Sequence, residues 1–133
     1  MSRENVEVVR AIYEAWSDNR SAAPFIERDL EYINPPEAVE PGTRIGRKYL
    51  AAVRDVYPDF RIQTEQFIDA GDDVVVMATI RGRGLRSQAV AEQRQAYVWT
   101  LRNGKAIRFR WFNDPRQALE AVGLSEQDAH ADS

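Results

Sequence analysis

The hydrophobic period of this chain changes once, near Phe60, and that change limits the folds open to it. Before it, Val6, Val9, Tyr13 and Trp16 recur at helical spacing, Glu4 and Glu7 favour the helix N-terminus, and Ser2 is placed to cap it. After it, four segments alternate with a period of two: FRIQTEQFIDA, DVVVMATIRGRG, EQRQAYVWTLR and KAIRFRWFN. Helices first and strands afterwards indicate an α+β fold, and the short connections between the strands predict antiparallel pairing.

The remaining elements follow from turn and breaker residues. The first helix is predicted over Arg3 to Ser17, a second short one over Ala22 to Arg28, and a strand from Asp29 to Asn34 ended by Pro35 and Pro36. Glu37 to Ile45 reads as a loop, and Tyr49, Leu50 and Val53 are spaced for a third helix over Arg47 to Val56, stopped at Pro58. Gly71 with Asp72, and Asn103 with Gly104, mark hairpin turns. Asp114 and Pro115 open a last helix, PRQALEAV, closed by Gly123. Near Val74 the strand is apolar on both faces, with Val74, Val76 and Ala78 on one side and Val75 and Met77 on the other. Both faces need cover, one from the helices and one from a second subunit.

A chain of 133 residues with 44% apolar and 29% charged residues suits one domain with its own core, expected over residues 1–124, followed by a disordered polar tail over 125–133. The net charge of -3 argues against a nucleic-acid surface. The absence of cysteine excludes disulfides, thiolate nucleophiles and Cys-ligated metals. The opening MSRENVEVVRAIYEAW mixes charged and apolar residues, so neither a signal peptide nor a membrane span is expected, and a cytoplasmic location is. The single histidine, His130, falls in the tail, and no metal or organic cofactor is anticipated.

The segments NVEVVRAIYEAW, EYINPPEAVEPGTRIGRKYL, AYVWTLRNGKAIRFRWFND and QALEAVGL, in this order, resemble the SnoaL-like group of the NTF2-like superfamily between residues 4 and 124. The resemblance implies a cone-shaped α+β barrel. Three N-terminal helices would pack on a strongly curved antiparallel sheet, with a short C-terminal helix, a deep apolar pocket and dimers formed through the open face of the sheet. The superfamily holds isomerases, cyclases, epoxide hydrolases, dehydratases and binding modules, so the fold does not select an activity.

Comparison with its branches leaves the catalytic residues unknown. Tyr13 is similar to the tyrosine that stabilises a dienolate in ketosteroid isomerases, a role suited to a buried phenol beside an apolar ligand. Asn34, however, stands where those enzymes carry their general base, and an amide does not take up a proton near neutral pH. Tyr32 and Asn34 are similar to the pair that holds the hydrolytic water in limonene epoxide hydrolase, but the aspartates and arginine of that site are missing, and Trp111 falls near the second aspartate. For a polyketide-cyclase-like acid or base, Asp114 is the nearest carboxylate, although it also stands where a helix cap belongs. Asp55, Asp59, Asp69, Asp72 and Asp73 read as turn or surface residues.

Tyr13, Trp16, Tyr32, Tyr49, Tyr97, Trp99 and Trp111 are suited either to lining a pocket for a flat organic ligand or to filling the core. Asn113 falls on the same side of its strand as Ile107, Phe109 and Trp111, and is the polar group placed to orient a ligand. Arg81, Arg83 and Arg86 read as a solvated loop. Two functions are therefore carried forward: a cofactor-independent isomerase, cyclase or lyase acting on an apolar organic ligand, and a non-catalytic ligand-binding or dimerisation module.

Overall fold

The computed structural model describes residues 2–51, 61–83 and 90–127. Helix α1 (Ser2–Ser17) leads through a 3-10 turn (Ala23–Phe25) into strand β1 (Ile26–Asn34). Strand β2 (Gly42–Ile45) and a second 3-10 turn (Arg47–Leu50) follow, then β3 (Arg61–Ala70), β4 (Asp73–Arg83), β5 (Val90–Arg102), β6 (Lys105–Phe112) and helix α2 (Pro115–Ala121). The six strands form one sheet in the order β2-β1-β6-β5-β4-β3.

The long strands and hairpins lie where the period-two segments place them. Asn103 and Gly104 both take positive φ, at 53° and 78°, as a tight two-residue turn with the twist of the flanking strands requires. Three expectations are corrected. The second helix is only a 3-10 turn, because Pro24 starts it and the extended, half-buried run from Ile26 claims the residues that would continue it. The loop before Ile45 contains β2, which pairs antiparallel with β1. The sheet is mixed, since β1 lies parallel to β6, a pairing between segments far apart in sequence that no hairpin signal announces. Of the third predicted helix, Arg47–Leu50 is a 3-10 turn and residues 52–60 lie outside the described residues. Two α-helices are thus described, one at each end of the chain.

Alternation on β4 and β5 sorts the core into two layers. Val74, Val76, Ala78, Tyr97 and Trp99 face α1, whose stripe Val9, Ile12, Tyr13 and Ala15 is buried against them. Val75, Met77, Ala96 and Val98 point the other way and are buried with Ile68 under Ala118 and Leu119 of α2. The second face of β4 therefore takes its cover from this chain's own last helix, and its burial does not require a second copy. That helix is fixed at both ends. Asp114 accepts the Arg116 backbone N–H at 3.0 Å, and at the other end Gly123, at φ 77°, and Leu124 donate back to Glu120 and Leu119 in a Schellman closure.

A register shift between Thr100 and Leu101 marks a bulge in the β5–β6 pair. It lets Ala106 and Phe109, three residues apart, share the inner layer. Ile107 consequently does not continue the line of Phe109 and Trp111; it lies in a separate surface groove with Glu4, Asn5 and Val8.

Candidate functional site

The inner layer does not close completely. Between α1 and the sheet lies a cavity of about 370 Å³, a volume within the range of small-molecule sites. Helix α1 contributes Tyr13 and Trp16 to its wall, β1 contributes Tyr32, and β5 contributes Gln93, Gln95 and Tyr97. Phe109 and Trp111 of β6 and the following Asn113 continue the wall, and Ile62 and Ile80 add apolar surface.

Pairing of the strands aligns these rings. Trp111 lies opposite Tyr97 and Phe109 opposite Trp99 in the antiparallel β5–β6 pair, while Tyr32 lies beside Phe109 in the parallel β1–β6 pair. Phe109 is consequently stacked between Tyr32 and Tyr97, with ring centroids at 5.3 and 5.5 Å. The stacked rings give the cavity an aromatic wall.

The polar tips follow a definite pattern. The Trp99 indole N–H donates to the Tyr13 hydroxyl at 3.0 Å, and no acceptor for the hydroxyl's own proton is present among the described residues. Tyr97 donates to the Gln95 side-chain oxygen at 2.9 Å. The Asn113 oxygen accepts from Gln93 at 2.9 Å and from Gln95 at 3.0 Å, which leaves the Asn113 N–H groups as donors. Burial pushes the Tyr13 hydroxyl well above its ordinary pKa of 10.0; the neighbouring Tyr97 adds to the rise and the Trp99 hydrogen bond partly offsets it. Tyr97 is raised by burial and by Tyr32, and Tyr32 by burial against the opposing effect of Trp111. All three phenols therefore stay neutral donors at physiological pH.

Of the residues singled out from the sequence, Tyr13, Trp16, Tyr32, Tyr97, Trp111 and Asn113 lie together around this cavity. Trp99 sits behind them, wholly buried, and holds Tyr13 in place. Tyr49 is one ring further out, 6.2 Å from Tyr32. Asn34 is not in the lining. Its oxygen accepts the Trp111 indole N–H at 2.6 Å and its amide nitrogen donates to the Glu40 carbonyl at 2.8 Å, so the group that would hold a water is spent on positioning Trp111 and the Pro35–Pro41 segment. Asp114 is the cap of α2, and the N–H groups of Arg116 hold its carboxyl below its ordinary range, the wrong direction for a general acid at neutral pH. Arg81 pairs with Glu92 at 2.6 Å, and the side chains of Arg83 and Arg86 lie outside those described. Asp69 accepts from Gly71 in its turn, while Asp55, Asp59 and His130 lie outside the described residues.

Gln93 and Gln95 escaped the reading of the sequence, although their alternation with Tyr97 and Trp99 on one strand face is a signal that would have found them. No Asp, Glu, His or Lys lines the cavity among the described residues, and no cluster of three His, Cys, Asp or Glu residues there could hold a metal.

Solved structures share this architecture. TerC, co-crystallised with polyporic acid, is 28% identical with a TM-score of 0.70, over 90% of this chain and 98% of that one. A putative SnoaL-like polyketide cyclase from Jannaschia sp. CCS1 is 19% identical with a TM-score of 0.70, over 92% and 93%. A hypothetical protein from Catenulispora acidiphila with a ketosteroid isomerase-like fold, in complex with trimethylamine, is 18% identical with a TM-score of 0.66, over 91% and 95%. Among curated proteins, none matches the chain. The sequence profile of the SnoaL-like domain matches residues 9–109, the stretch that runs from α1 to Phe109 and supplies most of the cavity wall. The fold is shared with solved NTF2-like proteins, and by the profile match the chain belongs to the SnoaL-like domain family.

Proposed function

We propose that this chain binds a flat, uncharged, largely apolar organic molecule in the cavity between α1 and the sheet. One observation carries the reading: the wall combines a stacked aromatic surface with neutral phenol and amide donors, and among the described residues it holds no carboxylate or histidine. Arg81, the charged wall residue among those described, is paired with Glu92, so burying an ionised ligand there would cost several kcal/mol without a free compensating charge. A flat ligand with a carbonyl or ether oxygen instead meets donors at Tyr13 and Asn113. That TerC was crystallised with polyporic acid and the Catenulispora protein with trimethylamine supports small-molecule binding in this fold.

Proton transfer of the kind an isomerase, cyclase or lyase needs lacks a base among the described wall residues. One observation favours such a reaction as a second reading: the Tyr13 hydroxyl has a free proton beside the cavity, suited to polarising a carbonyl.

Thermal-shift and calorimetric titration against α-tetralone, flat aromatic ketones and epoxides tests the first reading, and turnover assays of the same compounds with wild type and Tyr13→Phe test the second. Stabilisation of wild type that Trp111→Ala abolishes is the expected result. Binding of none of these compounds overturns it.

A further inference from the structure

The three tryptophans at the inner layer are not held alike. Trp99 donates to Tyr13 and Trp111 donates to Asn34, so both rings are locked by hydrogen bonds. Trp16 makes only ring contacts, edge-on to Tyr13 at 5.3 Å and tilted to Trp99 at 6.0 Å, and its N–H finds no acceptor among the described residues. It also stands at a junction. Trp16 and Ile62 both line the aromatic cavity, a groove of about 820 Å³ between α1 and β3, and a third space of about 410 Å³ beside the Ala23–Phe25 turn; Tyr13, which also borders the cavity and the groove, is fixed by the Trp99 indole.

The groove differs in character from the cavity. Arg10, Arg61, Glu14, Asn19, Gln63 and Thr64 give it hydrogen-bonding groups of both senses and charges of both signs, and Arg10 is already engaged over the Phe67 ring at 4.4 Å. Mixed charge does not select an ion. It suits a neutral arm that both donates and accepts.

We propose that Trp16, backed by Ile62, is a movable partition between the aromatic cavity and this polar groove, and that the ligand is a flat apolar body carrying a neutral hydrogen-bonding arm that passes it. The inference rests on the aromatic cavity being a ligand site. Trp16 then determines specificity: in place it admits the flat body, and displaced it lets the arm enter the groove. The indole can be displaced because moving it breaks no hydrogen bond, whereas moving Trp99 or Trp111 breaks one each.

Calorimetric titration of the full chain with α-tetralone, and with α-tetralone carrying a short ethylene-glycol amide arm, tests this in wild type, Trp16→Ala and Ile62→Ala. Removing the partition is expected to shift the ratio of the two dissociation constants by about tenfold toward the arm-bearing compound, even though α-tetralone itself binds more weakly for the loss of part of its wall. Ile62→Ala opens the same boundary with a smaller deletion, so it gives the answer if Trp16→Ala does not fold. Binding of both compounds with an unchanged ratio in the folded variants overturns the partition and leaves the cavity standing. Binding of neither compound to wild type overturns both.

Discussion

Asn34 uses both ends of its amide, holding Trp111 with its oxygen and the Glu40 carbonyl with its nitrogen. Asn34→Leu leaves the indole N–H without its acceptor, and a loss of about 1–3 kcal/mol of stability with weaker ligand binding is expected from chemical denaturation and titration. Asn34→Asp keeps an acceptor for Trp111 but sets a carboxylate oxygen against the Glu40 carbonyl, so stability should stay reduced while binding recovers relative to Asn34→Leu; equal loss of binding in both would show that the segment after β1, and not Trp111, carries the effect. The phenols give a pH signature. Tyr13, Tyr32 and Tyr97 are raised above the unfolded value of 10.0, so the unfolded chain releases these protons first as pH rises. Their contribution to stability is complete below pH 10 and is lost as the pH climbs toward their folded values. Denaturation midpoints that fall above pH 10, together with absorbance at 295 nm showing late phenolate formation, are expected; ordinary titration of all five tyrosines would contradict the burial of these three. Single residues were the least legible scale in the sequence. The partners of Asn34 and Trp99 lie 77 and 86 residues away, and pairing at that range follows from strand order, which composition and spacing do not encode.

Hairpins and long strands were legible because their signals are local. Asn-Gly at a turn and period-two alternation act over a few residues, and β3 to β6 lie where those signals place them. The parallel β1–β6 pairing and β2 were not, since each is decided by which sheet edge is free once the meander has formed. The second short helix was overruled by burial of Ile26 and Leu30 in the sheet. At this scale α2 is the element with the clearest energetic role, because it covers Val75, Met77 and Val98. Leu119→Ala should cost about 2–5 kcal/mol through the cavity it leaves. Asp114→Ala should cost about 1 kcal/mol as a lost cap and leave ligand binding unchanged, as read by urea denaturation and titration in parallel. A large effect of Asp114→Ala on binding would restore that carboxylate as a site residue.

Among the described residues, the two α-helices divide two jobs between them. Helix α2 buries Val75, Met77 and Val98 on the outer layer, whereas α1 leaves the inner layer open enough for a cavity of about 370 Å³. The aromatic residues of the sequence were open to being core or pocket, and the structure assigns them to both: Trp99 fills and braces, while Tyr32, Tyr97 and Trp111 line. What distinguishes the cavity is its lack of a described ionisable wall group other than the neutral phenols and the Arg81 that Glu92 pairs. The most direct test is calorimetric titration of the full chain at pH 7 with a matched pair, a naphthyl methyl ketone and the corresponding naphthoate. The ketone should bind at least about tenfold more tightly than the carboxylate, and Trp111→Ala should remove the difference. Tighter binding of the naphthoate, or binding of neither, would contradict a neutral aromatic cavity as the functional centre of this protein.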